Sequence, residues 1–74
     1  MNTIEQAVKK IKFLRMIEEK EYEKKLKKIF QDYDFKINKR NESDSFEIFI
    51  ENKKIIVLYM REGNKITTIA VEIF

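Results

Sequence analysis

The sequence has 74 residues, with 16 Lys or Arg, 13 Asp or Glu, one Gly, and no His, Cys or Pro. A chain of this length forms a single domain, 1–74, near the size at which one hydrophobic core is only just sufficient. Without Cys it has no disulfide and no thiolate metal site. Without His it lacks the commonest base and metal ligand near neutral pH.

The net charge of +3 lies entirely in the first half of the chain. Residues 1–33 hold nine Lys or Arg against six Asp or Glu, whereas 34–74 hold seven of each. An excess this small permits binding of nucleic acid or an acidic partner and requires neither.

The sequence predicts no enzyme and no cofactor. It has no glycine-rich phosphate loop, and Ser43 and Ser45 lack a base that could activate them as nucleophiles. The carboxylates of Glu42, Asp44 and Glu47 do not match a Ca²⁺ loop, which needs a central Gly and a terminal bidentate Glu. We therefore expect no metal site and no small-molecule substrate.

A capping box marks the start of the first helix. Thr3 is followed three residues later by Gln6, and Glu5 lies in the first turn, where the helix dipole favours a negative charge. From Ile4 to Tyr33 there is no Gly or Pro, and Glu, Lys, Leu and Ala are good helix formers. The pattern predicts one long helix at about 3–33.

Apolar side chains along this helix recur with the spacing of a single stripe. We predict that the stripe packs on a sheet through Ile4, Ala7, Val8, Ile11, Leu14, Tyr22, Leu26, Ile29, Phe30 and Tyr33. Lysines lie on the opposite side, where i, i+4 Glu–Lys pairs are typical of a solvated face.

The segment FLRMI departs from this stripe. Leu14 lies near the stripe, whereas Phe13, Met16 and Ile17 point to the other side of a helix and form a second apolar patch. Either the helix bends or breaks near Glu18–Glu21, or another surface packs against this patch. Because no Gly or Pro marks a turn, we predict a continuous or gently kinked helix.

After Asp34 the pattern changes to the alternation of β-strands, rich in β-branched and aromatic residues. We predict four strands, at about 35–39, 45–51, 54–61 and 65–74. Their short connections favour antiparallel neighbours in meander order. The sequence thus predicts an α+β fold, one long N-terminal helix followed by a three- to four-stranded antiparallel meander sheet.

A two-residue turn at Asn52 and Lys53 is expected between the second and third strands, and it pairs Phe49 with Ile56. One face of these strands then carries Phe46, Ile48, Ile50, Ile55, Val57 and Tyr59, and the other carries Phe49, Ile56, Leu58 and Met60 beside Glu47 and Glu51. The predicted helix can cover only one of these faces.

The last hairpin admits two registers. A three-residue loop at 62–64 places Ile69 and Val71 on the face that the helix covers and sets Lys54 against Glu72, whereas a two-residue loop sends Ile69 and Val71 to the other face. We favour the three-residue loop because it pairs opposite charges.

The predicted fold leaves more apolar surface than one chain can bury. Each such side chain contributes ~1.5–3 kcal/mol when fully buried, which is large beside the stability of a short chain. We therefore predict a homodimer or a protein partner. The predicted interface residues are Phe13, Met16, Ile17, Phe49, Ile56, Leu58 and Met60. The alternative is a monomer whose N-terminal half folds back over the second sheet face.

The predicted function is protein binding, as a small regulator or inhibitor that occupies a surface of a larger protein. The competing hypothesis is a nucleic-acid-binding protein that uses the lysine-rich helix face. The cations assigned to that role are Lys20, Lys24, Lys27, Lys28, Lys39, Arg40, Lys53 and Lys54.

The N-terminal residues lack the continuous apolar region of a secretory signal, and no segment is long and apolar enough to span a bilayer. We expect a cytoplasmic protein with no membrane association, or one in the host cytoplasm if a phage encodes it. Lys outnumbers Arg 13 to 3 and Ile outnumbers Leu 12 to 3. AT-rich codon usage produces this bias, and an AT-rich microbe or its mobile DNA is the expected source. Thermophily is the alternative cause, since enrichment in Lys and Glu also accompanies it.

Overall fold

The structure, a computed structural model, describes residues 3–40 and 42–74. Within these residues the chain forms two helices and five strands. In chain order they are α1 (Ile4–Lys12), β1 (Ile17–Glu18), α2 (Glu19–Ile29), β2 (Phe35–Arg40), β3 (Ser45–Ile50), β4 (Lys53–Glu62) and β5 (Lys65–Ile73). The strands form one antiparallel sheet in the order β1-β5-β4-β3-β2, curved into a half-barrel.

The predicted capping box is confirmed at the start of α1. The backbone N–H of Gln6 donates to Thr3 Oγ1 at 3.2 Å, and the backbone N–H of Thr3 donates to Gln6 Oε1 at 3.0 Å. The two bonds satisfy amides that would otherwise lack an acceptor at a helix end.

The prediction of one long N-terminal helix is wrong. α1 ends at Lys12, and the next four residues, 13–16, form an irregular connector along the edge of β5. The backbone N–H of Thr68 donates to Leu14 O at 2.9 Å, and the backbone N–H of Met16 donates to Thr67 Oγ1, also at 2.9 Å. The chain then pairs as β1 with the start of β5 before α2 begins.

The edge of β5 accounts for the break in the helix. Strand β5 would otherwise expose backbone donors and acceptors along its edge, and the connector and β1 provide partners for them. Met16 turns the chain with a φ of 50°, in the left-handed region that a residue other than Gly seldom adopts. Because no Gly or Pro marks this turn, no local pattern in the sequence indicates the break.

Both helices pack on the concave side of the half-barrel. The predicted stripe is confirmed as core, since Ile4, Ala7, Val8, Ile11, Tyr22, Leu26 and Phe30 are buried and Leu14, Ile29 and Tyr33 pack against them. The N-terminal half therefore does fold back. It lies beside α2 on the same face, however, and not over the second face of the sheet.

The β3–β4 hairpin has a different register from the predicted one. Its turn lies at Glu51 and Asn52, so that Phe49 faces Lys54 instead of Ile56. Glu51 adopts a φ of 53°, which allows the chain to reverse one residue earlier than predicted. A shift that moves each partner by two residues keeps every side chain on its predicted face.

The three-residue loop favoured for the last hairpin is wrong. Ile69, which that loop placed on the core side beside Val57, has no partner in the register of β4 and β5 and is 63% exposed. Near the turn, Glu62 pairs with Lys65 across a two-residue loop, but a bulge shifts the register between Leu58 and Tyr59. Beyond the bulge Val71 faces Val57, which returns it to the core side as the three-residue loop predicted. A bulge adds one unpaired residue to one strand and so reverses the alternation of faces.

The predicted pairing of Lys54 with Glu72 is wrong. Glu72 lies opposite Ile56, and the backbone of Lys54 exchanges two hydrogen bonds with Phe74, at 2.7 and 3.2 Å. Glu72 therefore lies two residues further along β4 than a regular three-residue hairpin would place it.

A buried hydrogen-bond chain joins the two helices to the sheet. The Thr68 hydroxyl donates to the Ile11 carbonyl at 2.9 Å, so the Tyr22 hydroxyl donates to Thr68 Oγ1, at 2.5 Å. Burial, the largest cause, raises the pKa of Tyr22 to about 12. Within the described residues, no buried side-chain nitrogen or oxygen lacks a hydrogen-bond partner.

Candidate protein-binding surface

The convex side of the sheet, which we call the outer face, carries a band of exposed apolar side chains. Phe49 is 40% exposed, Leu58 36% and Met60 46%, and Ile56 is half-buried between them. All four belong to the predicted interface. They lie on β3 and β4, and successive residues of a strand alternate between its two faces, so they stand opposite the buried core residues.

Strand registers set the neighbours of this band. Leu58 faces Ala70 on β5, and Met60 faces Thr67 on the same strand. Because Ala70 and Thr67 have shorter side chains than Leu58 and Met60, the apolar side chains of β4 project beyond those of β5. The outer face therefore presents a raised apolar band along β4.

One pair of opposite charges is in contact on the outer face. Glu47 Oε2 lies 3.2 Å from Lys54 Nζ, with the lysine side chain 43% exposed. An exposed pair of this kind adds at most about 1 kcal/mol to stability. Its main consequence is that a partner covering the band would meet a neutral pair in place of two separate charges.

The connector places the three predicted residues of FLRMI in different surroundings. Phe13 is 78% exposed and Met16 51%, whereas Ile17 is half-buried, pairs with Ile66 and packs against the core. The Met16 backbone is bonded to Thr67, the residue opposite Met60, so Met16 adjoins the end of the apolar band. The second helical patch predicted from the sequence is not formed.

Three further exposed apolar residues, all on or beyond the bulge of β5, were not predicted as interface. They are Ile69 at 63%, Ile73 at 42% and Phe74 at 68% exposure. Ile69 is the residue that the bulge leaves unpaired with β4, and the ambiguity of the last hairpin was the signal that could have indicated it.

A charged cluster anchors the start of α2 to the sheet. Glu19 Oε1 accepts hydrogen bonds from Arg61 Nη2 at 2.6 Å and from Lys39 Nζ at 2.5 Å. The hydrogen bond from Arg61 has the largest effect on the pKa of Glu19, and the bond from Lys39 has the next largest. Together they lower this pKa to about 2, although burial has a smaller, opposite effect. The Arg61 guanidinium also lies 5.9 Å from the centre of the Tyr59 ring. The cluster joins α2 to β2 and β4.

Half of the predicted nucleic-acid contacts share one surface. Lys20, Lys24, Lys27 and Lys28 are all exposed on the side of α2 away from the core. Lys24 Nζ lies 3.7 Å from Glu21 Oε1, a loose contact between two exposed groups.

The other four predicted cations are dispersed. Lys39 and Lys54 already contact carboxylates, on opposite sides of the sheet. Arg40 lies level with Leu58 across the sheet, because both pair with Ser45. Lys53 is five residues from Leu58 on β4, so Arg40 and Lys53 are roughly 17 Å apart along the strand direction. The structure therefore does not gather the eight cations into one surface.

Among residues 3–40 and 42–74, no group of three His, Cys, Asp or Glu side chains is placed to hold a metal ion. No helix in that part of the chain is long and apolar enough to cross a membrane.

Comparison of the chain with known protein families, with curated proteins and with solved structures finds no match. Function is therefore inferred from the surface of the chain itself.

Proposed function

We propose that the protein is a non-enzymatic protein-binding module, a small regulator or inhibitor that acts by covering a surface of a larger protein. One observation carries this proposal: the adjacent apolar side chains of the outer face, Phe49, Ile56, Leu58 and Met60, remain accessible. Contiguous exposed apolar surface on a small protein is typical of an interaction site.

The shape and charge of the outer face favour a concave, apolar partner surface. The half-barrel is filled by its own helices, so the outer face is convex. The contact between Glu47 and Lys54 keeps two charges paired when the band is covered, and an unpaired buried charge would oppose binding. We include Met16, with Phe13 beyond it, as the rim of this surface at the β5 edge.

A second copy of the chain is the other proposed occupant, which gives a homodimer. Three strands ~4.8 Å apart and eight residues at ~3.4 Å each define a footprint of roughly 400 Å² per copy. Stable interfaces bury about 800 Å² per partner, and two convex faces touch over less than their full area. The proposed homodimer is therefore weak enough for a larger target to displace one copy.

The proposal places the protein in the cytoplasm, or in the host cytoplasm if a phage or another mobile element encodes it. A regulator that works by surface occupation would meet its target there.

The test is a quantitative pull-down from the native host with three forms of the tagged protein. These are the unchanged chain, Phe49→Glu on the outer face, and Lys24→Glu on α2 as the control on the other side of the sheet. We expect Phe49→Glu to lose a partner that the unchanged chain and Lys24→Glu both retain. An identical set of proteins with all three forms would contradict the proposal, provided that circular dichroism shows all three folded.

Nucleic-acid binding is the second candidate function, favoured by the four exposed lysines on one face of α2. Phosphate binding releases counterions, so log affinity should fall linearly with log salt concentration. Fluorescence anisotropy with labelled DNA and RNA from about 50 to about 200 mM salt tests it. Absence of binding at the lowest salt concentration eliminates this candidate.

A further inference from the structure

A groove lies on the helix side of the molecule, away from the outer face. It has a volume of about 350 Å³ and is formed by the end of α1, the connector and the second half of α2. Its lining residues are Lys10, Leu14, Lys25, Lys28, Ile29 and Gln31. The volume is at the lower end of the ~300–1,000 Å³ typical of ligand sites.

The floor of the groove is apolar and fixed in position. Leu14 and Ile29 are half-buried and pack against the core with their inner surfaces. The backbone carbonyl of Leu14 is also held by the N–H of Thr68, at 2.9 Å. The floor therefore exists before any ligand binds, and its outer surface remains in contact with water.

The rim of the groove is basic and has no compensating charge. Lys10, Lys25 and Lys28 are exposed, and in the described part of the chain none of them contacts a carboxylate. Glu21, which stands four residues before Lys25, approaches Lys24 instead. Three ammonium groups thus surround an apolar floor.

Interaction with the helix dipole accounts for only part of this arrangement. Lysines in the last turn of a helix are stabilised by the negative end of the helix dipole. This interaction is a sufficient local reason for Lys at positions 10 and 28. Dipole interactions do not require that Leu14 and Ile29 stay accessible between those lysines. The combination of an open apolar floor and a cationic rim is what points to a ligand.

We propose that this groove binds an acidic protein segment that carries one large apolar side chain. The carboxylates of the segment pair with the ammonium groups of Lys10, Lys25 and Lys28, and its apolar side chain rests on Leu14 and Ile29. Partners whose potentials are complementary associate faster and more selectively.

The chemistry of the lining favours such a segment over nucleic acid. None of the lining residues is aromatic or Arg, the side chains on which bases stack. Phosphates alone would make no use of the apolar floor. The groove is also separate from the outer face, so a partner or second copy bound there leaves it open. The inference therefore goes beyond the proposed function and does not depend on it.

The experiment measures binding of a short fluorescein-labelled peptide of alternating Glu and Ser with one central Leu. The groove variant is Lys25→Glu combined with Lys28→Glu. The matched control is Lys20→Glu combined with Lys24→Glu, which makes the same change of charge on the same helix outside the groove. A peptide with Ala in place of the central Leu tests the floor without altering the protein.

We expect the groove variant to weaken peptide binding about tenfold, and the control to weaken it by less than half of that factor. Replacement of the peptide Leu by Ala should weaken binding by a similar factor. Amide shifts in ¹⁵N spectra should concentrate at residues 10–14 and 25–31.

Four outcomes would overturn the inference: no saturable peptide binding, equal losses in the groove variant and its control, indifference to the central Leu, or tighter groove binding by an oligonucleotide of equal charge. Circular dichroism of each variant separates loss of binding from loss of folding. If the pull-down with Phe49→Glu contradicts the proposed function, each of these results can still be interpreted, because the peptide assay does not involve the outer face.

Discussion

Single side chains join elements that are distant in the sequence. The hydroxyl of Thr68 on β5 connects Tyr22 of α2 to the carbonyl of Ile11 in α1, and the carboxylate of Glu19 connects α2 to Lys39 and Arg61. None of these pairs has a spacing that identifies it in the sequence. Residue types and faces were predictable, whereas hydrogen-bond partners were not.

Replacement of Thr68 by Val tests the buried chain. The change keeps the shape of the side chain but leaves both the Tyr22 hydroxyl and the Ile11 carbonyl unpaired, with an expected loss of about 2–3 kcal/mol in the free energy of unfolding. Tyr22→Phe removes only one group, since Thr68 still donates to Ile11, and should cost about 1 kcal/mol. Urea unfolding of both variants measures the difference, and equal losses would contradict this account.

The Glu19 cluster predicts a specific dependence of stability on pH. The pKa of Glu19 is about 2 in the folded chain against an ordinary value of 4.5, so the stability contributed by its carboxylate is complete above pH 4.5 and is lost as pH falls through 2. Glu19→Gln should be less stable than the unchanged chain at neutral pH, and the gap should close across this window.

The matched control for that experiment is Glu21→Gln. It removes a carboxylate of the same helix whose contact with Lys24 Nζ is loose, at 3.7 Å. Thermal unfolding from pH 7 to 2 should show the narrowing gap for Glu19→Gln alone. A gap that stays constant with pH would show that the cluster contributes nothing through ionisation.

At the scale of elements, local sequence determined where strands form but not where the first helix ends. β2, β3, β4 and β5 lie within one or two residues of the predicted strands, because alternation and β-branched composition are local signals. The connector shares the composition of a helix, and only the neighbouring β5 edge makes a non-helical conformation favourable there.

A proline scan distinguishes a connector from a continuous helix. Arg15→Pro should cost less than about 1 kcal/mol, since Arg15 lies outside both helices and its N–H has no acceptor among the described residues. Lys24→Pro, in the middle of α2, should cost about 3 kcal/mol or more. Chemical denaturation gives both values, and similar large losses at the two sites would indicate that the helix continues through residue 15.

At the scale of the whole molecule, one question is what covers the outer face. Helices α1 and α2 are both used on the concave side, so no described element is left to cover Phe49, Leu58 and Met60. The sequence indicated such an excess of apolar surface from the alternation of β3 and β4 alone. It did not indicate that the surface is convex, which limits how two copies can meet.

Sedimentation velocity over a wide concentration range tests self-association. We expect the average mass to rise from that of one chain toward that of two at high concentration, in keeping with a small contact area. Leu58→Glu should hold the chain at the mass of a monomer, and Lys24→Glu should behave as the unchanged chain. A single-chain mass at every concentration, or association unaffected by Leu58→Glu, would exclude a dimer through the outer face.

The sequence by itself determined the capping box, the apolar stripe of the helices, the four long strands and the faces of β3 and β4. Each of these follows from residues close together in the chain, through periodicity or short-range hydrogen bonds. Tertiary structure alone decided the break at residues 13–16, the register of both hairpins, the bulge and the charged cluster at Glu19. These features satisfy groups on distant strands, and the edge of β5 can select a conformation for the connector only once the sheet has formed.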